Sequence, residues 1–183
     1  SVTSAFDPSN TSPPHKAKQS MSTRTEQEAV AEILDKTRKL TRYFLSKLDS
    51  VDPLHQIVVG EHKLNCITWI CAHVTWAEHE LVVRALGGEP LPIPWLEQFK
   101  FGTSSEPQGT WPTLAEIRED LDKVHEVALN VIRAQTDLGQ TAQIDLFGPT
   151  STKRDIVYHS IRHEGTHAGH LSWLCKLNGI KTI

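Results

Sequence analysis

Nine glycines and prolines crowd residues 87–112 (Gly87, Gly88, Pro90, Pro92, Pro94, Gly102, Pro107, Gly109 and Pro112), so no long helix can run through this stretch. Proline removes a backbone donor and clashes with the preceding turn, and glycine costs the most entropy to order. The chain is thereby divided in two. On both sides apolar residues recur at three- and four-residue steps, the pattern of helices that bury one face. Upstream, Val30, Ile33, Leu34, Leu40, Phe44 and Leu48 mark a first helix from about Thr23. Leu64, Ile67, Ile70, Val74, Ala77, Leu81 and Ala85 mark a second, ending before Gly87. Downstream, Thr113 and Glu116 form a capping-box pattern at the head of Leu114, Ile117, Leu121, Val124, Ala128, Val131 and Ile132, a third helix ending near Gly139. Ser151 or Thr152 caps a fourth, running through Ile156, Ile161, Leu171 and Leu174 to Asn178 and Gly179. The expected fold is all-α: a four-helix bundle with a long crossover between helices two and three. Residues 56–59 and 143–147 read as short extended pieces, neither able to form an independent sheet.

The bundle is expected to occupy residues 23–183. Residues 1–22, rich in Ser, Thr and Pro, read as a flexible tail or an added segment, with Met21 as a natural start. A net charge of −3 and the absence of a dense Lys/Arg run offer nothing to a phosphate backbone, so no nucleic-acid partner is expected. No apolar run reaches the roughly 18 residues of a membrane span. Cys66, Cys71 and Cys175 are odd in number and lie inside helical patterns. They read as small core residues in a reducing, cytoplasmic setting rather than a disulfide framework.

Ten histidines are many for this length, and His159, His163, His167 and His170 fall within twelve positions. At about 100° per residue, His163 and His167 lie about 40° apart on one helical face, with Ile156 and Leu174 projecting nearly the same way. Both imidazoles should face the core, and a pair one turn apart can present two nitrogens to one point. His73 sits in the middle of helix two's apolar arc and makes a third inward imidazole available. Three neutral imidazoles buried without partners would each leave a polar nitrogen unsatisfied, at about 1–3 kcal/mol, whereas a shared divalent cation pairs all three. The competing reading is a set of core histidines that satisfy one another. His159 and His170 fall near the pair, as its hydrogen-bond partners or as substrate contacts. His79 is expected at the surface, and His125 in the core with partners of its own. Trp95, Trp111 and Phe101 are expected to anchor the crossover or to cover the mouth of the site.

Two segments carry a family resemblance. NCITWICAHVTWAEHELVVRALGG and HSIRHEGTHAGHLSWLCKLNG are similar to the second and last helices of the DinB/YfiT-like superfamily, small metal-binding four-helix bundles. In the last helix His163, His167, Gly169 and Leu171 match the family's pattern in order, while His170 stands where glutamine is usual. The resemblance implies His73, His163 and His167 as ligands of one divalent transition metal, zinc or nickel foremost. It also implies a transferase that uses a low-molecular-weight thiol on a small electrophilic substrate, within a family whose members differ widely in role. His170 is the candidate catalytic neighbour. One alternative is a metal-dependent hydrolase with Glu164 or His170 moving the proton, although Glu164 is expected to face solvent. The other is a non-catalytic bundle stapled by its metal, serving dimerisation or stress-linked binding; a small-molecule substrate and a second copy of the chain, in a homodimer, are the candidate partners.

Overall fold

Reciprocal caps set the starts of three helices in the computed structural model, which describes residues 24–142, 144 and 150–183. Thr25, Thr113 and Thr152 each accept a hydrogen bond from the backbone N–H three residues on, and Glu28, Glu116 and Asp155 each accept one from the cap in return. Each pair satisfies two of the donors that a helix start leaves open. They open α1 (Glu26–Lys47), α3 (Leu114–Arg133) and α4 (Lys153–Leu177). The remaining helix, α2 (Ile67–Glu78), buries eleven of its twelve residues and so runs through the middle of the molecule. α1 packs chiefly on α4 and α2 chiefly on α3, with α2 also meeting α4, which is the expected all-α bundle. The proposed tail, residues 1–22, and most of the extended piece at 143–147 lie outside the described residues.

Helix two does not stay α-helical to Gly87. After Glu78 it widens into a π-helical turn, His79–Arg84, and Gly87 then ends it at φ 86°. A β-carbon on Gly88 would stand 2.5 Å from Val131 Cγ2, so glycine lets this end close against α3. The crossover carries one 3₁₀ turn, Leu96–Phe99, which Trp95 and Phe99 anchor in the core. Trp95 Nε1 donates to Asp120, and Phe99 packs on the half-buried Trp111, as expected of an anchored loop. Phe101 differs: it is 87% exposed. The extended piece near residue 56 is narrower than expected, an antiparallel pairing of β1 (Val58–Val59) with β2 (His62–Lys63) around Gly60.

Two expectations are corrected in α1 and α3. Ile33 and Leu40 are exposed, because the buried stripe of α1 runs instead through Val30, Leu34, Arg38, Thr41 and Leu45. Two polar residues take the inward positions there and drive the stripe off the apolar pattern. α3 ends at Arg133 rather than near Gly139; the chain then turns, with Asp137 accepting a hydrogen bond from the Gly139 N–H.

Candidate metal centre

α2 and α4 bring His73, His163 and His167 together. One side-chain nitrogen from each lies within 4.8 Å of the others, and Nε2 of His73 is 3.2 Å from Nε2 of His163. Nitrogens bound at about 2.0–2.1 Å around a tetrahedral ion would stand about 3.3 Å apart, so the observed spacing fits a shared cation. His73 is also clamped on its other side: Nδ1 lies 2.7 Å from the carbonyl oxygen of Phe99. A carbonyl only accepts, so Nδ1 carries the proton and Nε2 keeps its lone pair for the triad. The crossover thus reaches the site through its 3₁₀ turn, fixing one imidazole.

His167 is held in a comparable way. Its Nδ1 is 3.3 Å from Nδ1 of His170, one turn further along α4, which leaves the other nitrogen for the triad. Two tryptophans enclose His73, Trp69 stacked at 4.6 Å between ring centres and Trp76 at 5.4 Å. Burial, then the neighbouring imidazoles, holds His163 down to about 4 and His167 down to about 3. His73 is lowered by burial, against the opposing pull of its bond to Phe99. All three rings are therefore neutral near pH 7, the form that binds a metal.

The triad opens on a cavity of about 680 Å³. Asn65, Trp69, Trp76, Phe101, Thr103 and His159 are among its walls, and no acidic residue is among the described residues that line it. The volume suits a small molecule. His159 stacks beside His163 at 5.8 Å and accepts from Arg162, so it borders the site without joining the triad. Phe101 stands at this cavity rather than anchoring the crossover.

Beneath the triad lies a buried ionic cluster that the sequence did not reveal. Arg38, with no exposed surface, donates to Glu164 through Nε (2.6 Å) and Nη2 (3.1 Å), to Glu78 (2.7 Å) and to the Leu121 carbonyl (2.8 Å). Thr41 donates to Glu164 as well, and His125 spans Glu78 at 2.8 Å and Asp35 at 3.4 Å. Glu164 is therefore not the solvent-facing residue expected. It points away from its neighbour His163, but into the α1–α4 interface, where it meets a guanidinium. His125 is the partnered core histidine expected. His79 is corrected too: it is 4% exposed, with Nδ1 against Glu80 and Nε2 accepting from the Leu91 N–H, so it pins the start of the crossover to the π turn. The signal available for Arg38 was its position: it continues the i, i+4 stripe of Val30 and Leu34.

The sequence profile of the DinB superfamily matches residues 33–171, a span that contains all three histidines of the triad, the whole of α2 and α4 as far as Leu171. No curated protein matches the chain.

Proposed function

The chain belongs to the DinB superfamily, and from that premise we propose that it is a metal-dependent enzyme transferring a low-molecular-weight thiol to a small electrophile. The observation that carries this reading is the donor set: three neutral imidazoles converging at the wall of an open cavity that no acidic side chain lines among the described residues. His73, His163 and His167 would hold one divalent transition metal, zinc or nickel foremost. Bound there, such a cation lowers the pKa of a thiol at its remaining position, so that the thiolate is present near neutral pH. The protein's own residues orient the donors: Phe99 and His170 fix two of the rings, and Trp69 and Trp76 shield His73 from water. The apolar cavity wall suits a neutral electrophile, and Asn65 can hold a polar atom of either reactant.

The hydrolase alternative has lost one of its two proton-transfer candidates, since Glu164 is engaged by Arg38 and Thr41, and is left with His170 beside His167. A purely structural staple fits poorly with an open cavity at the triad, because structural sites are closed by four protein ligands. Cys66, Cys71 and Cys175 are free and buried, which supports a reducing, cytoplasmic setting. No helix among the described residues is long and apolar enough to cross a membrane.

The test uses cobalt-substituted protein. Titrating cysteine, glutathione and bacillithiol should produce a thiolate-to-cobalt absorption band with at least one of them, and the zinc form should conjugate that thiol to monobromobimane. Metal-loaded protein that binds no thiol and conjugates none refutes the transferase. Chelation that unfolds the bundle outright would favour the staple instead.

A further inference from the structure

A second cleft adjoins the triad cavity on the other side of His170, between the β1–β2 hairpin and the C-terminal half of α4, with a volume of about 440 Å³. Its rim leaves Val59 (52%), Trp173 (61%) and Leu177 (46%) exposed to water. Single exposed apolar side chains are ordinary, whereas three large ones gathered around one concavity offer an apolar ligand a wall to pack on. Among the described residues the polar lining is confined to Lys63, Asn65 and His170, and Lys63 is engaged by Glu106 at 3.0 Å. The two that remain are the two that join this cleft to the metal centre. Asn65 lines both cavities, and His170 touches His167. Polarity is therefore one-ended: hydrogen-bonding groups on the side of the triad, apolar wall beyond.

We propose that this cleft binds the apolar body of a small amphipathic substrate whose polar, reacting head lies at the triad. The proposal rests on reading His73, His163 and His167 as a metal centre, and it adds the substrate's shape: an aromatic or alkyl body of one or two rings' size joined to a compact polar head. The volume agrees, since a cavity of about 150 Å³ already accommodates benzene.

The experiment measures binding to the zinc-loaded chain by calorimetry, using acetohydroxamate and a series of naphthyl hydroxamates with one to four methylenes between ring and head. The head alone reports the metal centre; the ring reports the cleft. At least one naphthyl compound should bind about tenfold or more tightly than acetohydroxamate. Trp173→Ser and Leu177→Ser, at positions exposed enough to leave the fold intact, should each remove most of that gain. Neither should change the affinity of acetohydroxamate, which is too small to reach the cleft. If acetohydroxamate itself fails to bind, the metal-centre reading falls and the proposal with it. If it binds but no naphthyl compound gains, or the gain survives both substitutions, the proposal alone is overturned. A gain that disappears while the two substitutions convert a dimer into a monomer in sedimentation overturns it in favour of a second copy of the chain on this surface.

Discussion

Replacing Arg38 by methionine should be the most damaging single substitution away from the triad. The guanidinium has no exposed surface and makes four hydrogen bonds, three of them to the carboxylates of Glu78 and Glu164. Methionine matches much of its length but leaves two buried carboxylates facing each other's side of the core without a cation. Removing one partner of a buried pair costs about 3–5 kcal/mol, chiefly because the other is left uncompensated. For a domain of this size each kcal/mol moves the melting temperature by about 2–4 °C, so a fall of about 6–20 °C is expected at pH 7. Circular dichroism on the metal-free protein checks it without a contribution from the metal. The pH dependence supplies a second check. Burial would raise the Glu78 pKa, but the charge of Arg38 and the hydrogen bond from His125 outweigh it and hold the group below its ordinary value. A depressed folded pKa stabilises above the unfolded value of about 4.3, and that stability is lost as pH falls. Without Arg38 burial prevails and the sign reverses, so the variant's deficit should shrink as pH falls through the carboxylate range. A melting temperature within about 2 °C of the parent, or a deficit that does not change with pH, would refute a charged cluster under the site.

Four other outcomes are expected. His73→Ala should abolish stoichiometric zinc retention after desalting, read by elemental analysis, because α2 contributes no other donor to the triad. His170→Ala should weaken zinc binding by about 10–100-fold, the usual effect of removing the partner that orients a ligand. His170→Gln, whose amide oxygen can accept from the same His167 nitrogen, should recover most of that loss in a competitive chelator titration. Metal-free protein should lose stability as pH falls from about 6.5 toward 4: His163 and His167 refuse protons until about 4 and 3, while the unfolded chain accepts them near 6.5. Urea midpoints should follow that curve, and His163→Phe should flatten part of it; an unchanged slope would show that the ring is not buried neutral.

The triad and the four helices were legible in the sequence because both are periodic signals: an apolar stripe, and imidazoles one turn apart on the same stripe. What escaped was the chemistry of residues that obey the stripe without being apolar. Arg38 and Thr41 occupy inward positions of α1, and reading only aliphatic residues moved the face to Ile33 and Leu40, which are in water. Glu164 was misread for the converse reason. Its neighbour His163 faces the triad cavity, and a helix with one buried face would turn the next residue outward; α4, however, contacts α1 on a second side, where Arg38 waits. His79 depended on the π turn, whose extra residue per turn rotates the positions beyond Glu78 relative to an α-helical wheel. The errors at Glu164 and His79 also share a physical origin. α2 and α4 are each packed on more than one face, so a single apolar arc cannot report their orientation. The ion pairs that occupy the additional faces also fix how far each helix is rotated about its axis. Arg38, bonded twice to the residue that follows His163, therefore helps set the direction in which His163 and His167 point. Metal affinity and bundle stability should accordingly fall together in Arg38→Met, whereas in His73→Ala metal is lost with much less effect on the metal-free fold.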